Sequence, residues 1–363
     1  MKGSGLAMVF VQANQPLHET VLSLPQLKER ELLVKIKYCS ICASDLHTYH
    51  GRRPGSSPSV LGHEIVGEVY QTFNNEQLID YTGKLIKEGD LITWSLAVSC
   101  GECLFCQKGF PQKCEKLLKY GHQKQNPDFK FNGGFAEFIH LQKGTTLFKL
   151  NPALPTQYLS ALNCSFATVA AALRNAGQVR NRTTVIFGAG MLGIIATAML
   201  KQRGASTIYV IDPNEYRLDI ARKFGATETI RWDNQDAIAE KFKKINLPID
   251  LVFETSGSSS AVSLSTKILG IGGRLLLCGS VFPSADIVIS PEKIVRNLWQ
   301  IIGIHNYHHD DLLTAICFFE EQHTVLPFEL LFHKDIFSLG DTQQALEMAK
   351  NSKIHRVTIN CSK

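Results

Sequence analysis

The sequence predicts an α/β protein: a β-rich domain joined to a doubly wound parallel sheet. Three observations predict it. The chain has 363 residues, and about 150 residues make a typical domain. Up to about residue 150, strand-like runs are broken often by Gly and Pro. After about residue 160, short apolar runs alternate with helical stretches around a glycine-rich turn, the pattern of βαβ units. With 44% hydrophobic residues, the chain can bury a sizeable core. Lys and Arg total 38 against 33 Asp and Glu, with no long basic run, so nucleic acid is not an expected partner. No stretch reaches about 18 consecutive apolar residues, so no membrane span is expected. Met1–Gly5 does not lead into the apolar block of a secretory signal. The expectation is a cytoplasmic protein acting on a small molecule.

The elements follow in chain order. Leu32–Lys37 and Glu64–Tyr70 read as strands of the first domain. The stretch through Asn74, Asn75, Glu76 and Gln77, before Gly89 and Asp90, reads as a surface-hairpin insertion. Thr184–Phe187 is a buried-strand run, Met191–Gln202 has helical texture, and Thr207–Ile211 is the next strand. Asp250–Phe253 and Arg274–Leu277 continue the series, with Gly272-Gly273 as a turn before the latter. A final helix is expected near Thr342–Lys350, and the run His305–His309 reads as a solvated loop.

Gly188-Ala189-Gly190-Met191-Leu192-Gly193 is a G-x-G-x-x-G between a strand and a helix, and Asp212 ends the following strand. Such glycines permit a tight turn and close approach of backbone to a pyrophosphate. The helix start adds free N–H groups. Asp212 can accept hydrogen bonds from both hydroxyls of an adenosine ribose and would repel a 2′-phosphate, which favours NAD over NADP. Arg217, just beyond, is placed either to reach the ribose or a phosphate or to sit as a solvated helix charge.

Ten cysteines are present, and Cys100, Cys103, Cys106 and Cys114 follow the spacing C-x2-C-x2-C-x7-C. In a reducing compartment this clustering reads as metal binding. Four thiolates suit a closed tetrahedral zinc site with a structural role. An iron–sulfur cluster is the rival, weakened because the fourth cysteine is not at the x3-C-P position. A second constellation joins Cys42, Ser44, Asp45 and His47 within six residues, Gly62-His63-Glu64 beyond them, and Asn163-Cys164. Cys42, His63 and Cys164 would offer sulfur, nitrogen and sulfur to a zinc with one open position. Spacing alone does not unite the three.

Together these segments resemble the zinc-dependent medium-chain alcohol dehydrogenases over nearly the whole chain. The resemblance implies a GroES-like catalytic domain from residues 1–163 and 305–363, and a Rossmann NAD-binding domain over 164–304. It implies two zincs per chain: a catalytic one on Cys42, His63 and Cys164, and a structural one on the four-cysteine lobe. Glu64 matches a carboxylate that can approach the metal, and Asp45 the one that orients the ligand histidine. Ser44 and His47 match a relay carrying the alcohol proton through the cofactor ribose to solvent. Thr168 matches a residue against the nicotinamide. Gly188, Gly190, Met191, Leu192, Gly193, Asp212 and Arg217 fall at the dinucleotide. A homodimer or homotetramer is implied. Cys39 falls outside the Ser-Asp-x-His frame and reads as a buried thiol. Cys278, Cys317 and Cys361 read as structural.

Tyr49–Pro54, Pro111–Cys114, Lys119–His122 and Asn163-Cys164 are similar to a narrower branch associated with phosphonate catabolism. Arg52 and Arg53 would then meet an anionic substrate group, against the alternative that they are loop-surface charges. Two other readings stay open. One is a zinc-free quinone-type reductase on the same fold, which Cys42, His63 and Cys164 count against. The other is a non-catalytic nucleotide-binding protein, which Ser44 and His47 speak against.

Overall fold

A computed structural model describes residues 3–245, 247–351 and 353–362. The chain divides into two compact units. One holds the chain up to Cys164, His308–Ile316 and the chain from Phe328 onward; the other holds Ser165–Tyr307 and Cys317–Pro327. The passages between units thus fall after Cys164 and Tyr307 rather than after residues 163 and 304. Cys317–Pro327 joins the second unit because Phe318 and Phe319 pack on Phe166, with ring centroids 6.4 and 6.1 Å apart. Cys164 stays in the unit that holds Cys42 and His63.

The first unit is built round one long strand, Leu32–Ser40, whose alternation of apolar and polar side chains extends the predicted run. Glu64–Thr72 pairs antiparallel along one edge. On the other edge Phe138–Leu141 pairs with its first half, and Arg356–Asn360, from the far end of the chain, with its second. The sheet therefore closes only with carboxy-terminal residues. Ile36, Ile65, Phe135, Ile139, Val357 and Ile359 are fully buried in the core between.

The expected insertion is a turn and a short hairpin. Asn74 and Asn75 adopt left-handed backbone in the turn Phe73–Asn75, which asparagine tolerates. Leu78–Ile79 then pairs with Leu85–Ile86. Asp80 holds this hairpin, accepting from Thr82 N at 2.8 Å, Thr82 Oγ1 at 2.8 Å, Lys84 N at 2.9 Å and Lys149 N at 3.0 Å. Burial opposes the charge, but these donors outweigh it and hold the Asp80 carboxyl below its usual range. A lowered carboxyl pKa contributes stability above the ordinary value and loses it as pH falls through the lowered one. Asp80→Ala is expected to cost about 1–3 kcal/mol at pH 7 by urea unfolding, with the gap to the parent closing in acid. A gap independent of pH would mean that the carboxylate charge is not what holds the hairpin.

The histidine run is more engaged than a solvated loop. Tyr307 is buried, and His309 lies 3.3 Å from Thr146 Oγ1 with its ring tilted against that of Tyr81 at 5.8 Å, whose hydroxyl donates to Asp310 at 2.8 Å. The sequence pattern carried no sign of these contacts, because the partners Tyr81 and Thr146 lie far away along the chain.

The second unit carries a six-stranded sheet in the order Glu228–Arg231, Thr207–Asp212, Thr183–Phe187, Ile249–Glu254, Leu269–Leu277, Gln300–Gly303. Every pair is parallel. This is the strand order of the Rossmann fold, in which ligands bind beyond the carboxyl ends where the order reverses. Thr183–Phe187, the first strand of this unit in sequence, lies at that reversal and is buried along its whole length, which suits the apolar Val185-Ile186-Phe187 that follows its two threonines. The helix Met191–Gln202 follows. Gly272-Gly273 does not precede the fifth strand as a turn. The strand starts at Leu269, and its pairing jumps from Ile249↔Leu269 to Leu251↔Arg274, so the glycines sit in an irregularity within it. No helix among the described residues is long and apolar enough to cross a membrane.

Candidate active site

Cys42 stands immediately before the short helix Ala43–Tyr49. Asp45, one turn in, accepts the Cys42 N–H at 2.9 Å through Oδ2. Its Oδ1 accepts from Gly62 N at 3.2 Å and from His63 Nδ1 at 3.0 Å. One buried carboxylate thus ties together two segments that sequence spacing left apart, and it turns His63 Nε2 outward. Cys164 arrives on a π-helical turn, Leu162–Phe166, beside Asn163, whose Oδ1 accepts from Ile65 N at 3.3 Å. Widened turns of this kind recur at functional sites. The ligand atoms of Cys42, His63 and Cys164 all lie within 4.8 Å of one another. Two sulfurs and an imidazole nitrogen, with the other ring nitrogen held by a carboxylate, fit a zinc that keeps one position open.

The electrostatics agree. The Cys42 thiol is pulled well down, chiefly by the hydrogen bond from Cys164 and against burial, with Arg356 assisting. Cys164 is pushed up correspondingly. Burial opposes charge on His63, but Asp45 outweighs it and raises the imidazole to about 10. A metal arriving here displaces these protons, which couples its binding to pH.

Ser44 Oγ lies 3.2 Å from His63 Nε2. His47 sits at the end of the same helix, half-buried. Burial first, then Arg52, hold its pKa below the ordinary value. Thr168 lies half-buried in the helix Ala167–Ala176 of the second unit.

Glu64 is fully buried, and its partner is one the sequence reading missed. Arg356 donates to both carboxylate oxygens at 2.7 Å, while its Nη2 lies 3.7 Å from Cys42 Sγ. Ser40 Oγ adds a third donor to Glu64 at 2.6 Å, and Ser160 bonds Ser40 in turn at 3.1 Å. A buried glutamate in the His63-Glu64 pair demands a cation. That demand was the available signal, but nothing in the sequence pointed to residue 356.

In the second metal centre, Sγ separations are 3.4 Å for Cys100–Cys114, 3.5 Å for Cys103–Cys106, 3.9 Å for Cys103–Cys114 and 4.0 Å for Cys100–Cys106. Four sulfurs each about 2.3 Å from one ion form a tetrahedron with edges of about 3.8 Å. Backbone N–H groups of Cys103, Cys100 and Lys116 point at the sulfurs from 3.3–3.4 Å. All ten cysteines are free thiols. Cys39, Cys278 and Cys361 are buried, whereas Cys317 is exposed.

At the glycine turn, a Cβ on Gly193 would fall 1.8 Å from Gly188 O, so the helix can close on the strand only with glycine there. Gly190 faces open space bounded by the Arg217 guanidinium, whose Nη1 is 4.0 Å from the Cβ position. Arg217 thus lies beside the turn. Met191 and Leu192 open the helix. Asp212 accepts from Ala189 N at 2.7 Å and Asn214 N at 2.8 Å, which orients its carboxylate toward the turn. Glu254, at the end of the fourth strand, accepts from Ser256 N, Ser256 Oγ and Gly257 N at 2.6–2.8 Å. It shapes the neighbouring loop and was not singled out from sequence.

Two family models match the chain: "Alcohol dehydrogenase GroES-like domain" over residues 28–152 and "Zinc-binding dehydrogenase" over residues 192–321. The L-threonine 3-dehydrogenase of Bacillus licheniformis is 31% identical over 280 residues, 76% of each chain. The chain belongs to the zinc-dependent medium-chain alcohol dehydrogenase family. The L-threonine 3-dehydrogenase of Caldanaerobacter subterraneus is 29% identical over 283 residues, again 76% of each. The crystal structure of an alcohol dehydrogenase from Thermotoga maritima superposes with a TM-score of 0.91 at 25% identity, covering 98% of this chain and 99% of that one. The GroES-like and Rossmann folds read from the sequence are therefore those of this dehydrogenase, and zinc and a nicotinamide dinucleotide are its cofactors.

Proposed function

We propose that this dehydrogenase transfers hydride reversibly between a primary or secondary alcohol and NAD, with Cys42, His63 and Cys164 holding the catalytic zinc. The observation that carries the reading is the convergence of those three ligand atoms within 4.8 Å, two of their segments locked by Asp45. When bound, zinc supplies Lewis acidity to the substrate oxygen and NAD supplies the hydride acceptor. The chain's own residues do the rest. Asp45 fixes the tautomer and orientation of His63. Arg356 neutralises Glu64 and keeps it oriented beside Cys42. Ser44 would take the alcohol proton, and His47, whose pKa burial and then Arg52 hold below the ordinary value, would pass it on toward solvent. Thr168 would pack against a bound nicotinamide. Cys100, Cys103, Cys106 and Cys114 would hold the second, structural zinc.

The unit containing both chain ends serves as the catalytic domain, and the Rossmann unit binds NAD through Gly188–Gly193, Asp212 and Arg217. The two remaining lone-pair directions on Asp212 suit ribose hydroxyls and repel a 2′-phosphate. The edge strand Gln300–Gly303, with Val288, Val295 and Leu298 exposed nearby, supports assembly into a homodimer or homotetramer. Ten free thiols suit a reducing cytoplasm.

The test is reduction of NAD and of NADP by the zinc-loaded protein across primary and secondary alcohols, in the parent and in Asp212→Ala. The parent should favour NAD by at least about tenfold in kcat/KM, and the variant should lose most of that preference. No NAD reduction with any alcohol would remove the reading.

A further inference from the structure

The second unit holds a buried carboxylate that the mechanism above does not use. Glu254 ends the strand Ile249–Glu254 and is fully buried. Its Oε1 accepts from Ser256 N at 2.7 Å, Ser256 Oγ at 2.6 Å and Gly257 N at 2.8 Å, and its Oε2 from Ser280 Oγ at 3.2 Å. All four donors are neutral. Glu64 is equally buried but has Arg356 as its cation, whereas among the described residues no Lys, Arg or His side chain bonds to Glu254. The charge is felt nearby: burial first, and then Glu254, pushes the Cys278 thiol up.

Its place in the sheet gives this charge a use. Thr255, the next residue, donates through Oγ1 to Phe187 O at 2.8 Å and to Gly188 O at 3.0 Å. A Cβ on Gly188, where φ is +96, would lie 3.1 Å from Ser256. The segment after Glu254 is thus bonded to the glycine turn at the point where the strand order reverses. On its other side, Ser280 follows the strand Leu269–Leu277, and a Cβ on Gly279 would fall 2.4 Å from Gly257 N. One carboxylate so ties together the loops that follow two adjacent strands at the carboxyl edge. In a sheet of this order a dinucleotide crosses that edge, with one mononucleotide half on each side of the reversal. With the adenosine ribose at Asp212, on the side of Thr207–Asp212, the nicotinamide half belongs to the side of Glu254 and Ser280.

We propose that Glu254 sets the preference of the site between the two redox states of the cofactor. Its negative charge favours the oxidised nicotinamide ring, which is positive, over the reduced ring, which is neutral. Being buried, Glu254 acts by its field rather than by contact. A buried carboxylate is costly unless donors or a cation meet it. Neutral donors orient this one, and the opposite charge comes with the oxidised cofactor. The hydride that leaves the alcohol carbon brings its electron pair to the ring and cancels the positive charge. Glu254 therefore holds the cofactor before the transfer and loosens it afterwards, which weights the site toward taking up NAD+ and releasing NADH, the direction of alcohol oxidation. This inference rests on the reading of the Rossmann unit as the NAD site, and its test separates the two.

Affinities for NAD+, NADH and ADP-ribose, which lacks the nicotinamide, are measured by calorimetry without alcohol. The proteins are the zinc-loaded parent, Glu254→Gln, Ser280→Ala and Ser280→Lys. Glutamine keeps the length and the Oε1 acceptor, and its amide N–H can donate to Ser280 Oγ, so it removes the charge and little else. It should raise the ratio Kd(NAD+)/Kd(NADH) by about three- to thirtyfold, the effect of one unit charge over several ångströms at the effective dielectric near a protein surface, and leave ADP-ribose unchanged. Ser280→Ala removes one tie and keeps the charge, so both cofactor forms should shift together and the ratio stay within about twofold. Ser280→Lys sets an ammonium against the carboxylate. It should raise the ratio as Glu254→Gln does, and it carries the test if that variant does not fold. A purely structural role moves both forms together, so an unchanged ratio in Glu254→Gln overturns the proposal. So does a loss of ADP-ribose affinity equal to that for NAD+, which would place the effect at the adenosine half. If the parent binds none of the three, the NAD-site reading falls and this proposal with it. If it binds all three and the ratio does not move in Glu254→Gln, that reading stands and the proposal alone fails.

Discussion

Cys42→Ser is expected to lower kcat/KM by more than about a hundredfold and to remove one of two zinc equivalents, leaving the other in the four-cysteine lobe. The argument starts from the ligand set. Cys42 is the thiol that its surroundings already favour as thiolate, through the Cys164 hydrogen bond and the Arg356 guanidinium. A serine hydroxyl in that place is a far weaker ligand and stays protonated. Loss of an outer partner of a metal ligand typically costs ten- to a hundredfold, and loss of the ligand itself should exceed that. Metal content by mass spectrometry, read beside steady-state kinetics, checks the result. A variant that keeps two zincs and parental turnover would remove Cys42 from the centre.

Arg356→Met should be the most destabilising single substitution near the site, by about 3–5 kcal/mol in urea unfolding. Glu64 is fully buried, and Arg356 supplies two of the three donors that reach its carboxylate. Removing the guanidinium leaves a buried carboxylate with Ser40 alone. Adding Glu64→Gln to Arg356→Met should recover much of the loss, because the amide carries no charge to strand. If the double variant is no more stable than Arg356→Met, packing by the arginine stem, rather than its charge, holds the region.

What the sequence made legible is what lies close along the chain. The Cys42–His47 frame, the glycine turn and the four-cysteine lobe each span fewer than thirty residues. Their chemistry is set by local spacing, and the helix Met191–Gln202 and its flanking strands appeared with the periodicity expected of them. The parts that were not legible are pairings across long loops. Arg356 meets Glu64 over 292 residues, and Tyr81 meets Asp310 over 229. Side chains at such separations leave no mark on hydrophobic period or turn chemistry. The compact units differ from the expected bounds for the same reason: Phe318 and Phe319 lie with Phe166, a contact no local pattern encodes. His122 was visible as a residue, but the approach of its ring to that of His63, 4.9 Å between centroids, depends on the fold of Gly121 against Gly62.

The strand Arg356–Asn360 closes the first unit's sheet and brings the counter-charge of Glu64. Consider the chain as it leaves the ribosome. Cys42, His63, Glu64 and Cys164 are all made while Arg356 is still 192 residues away. At roughly 5–20 residues per second, that gap lasts about 10–40 s. Throughout it, the acid beside the ligands lacks its Arg356 counter-charge, and the second half of one edge of the central strand lacks its partner. The centre therefore matures in the finished chain rather than in the nascent one.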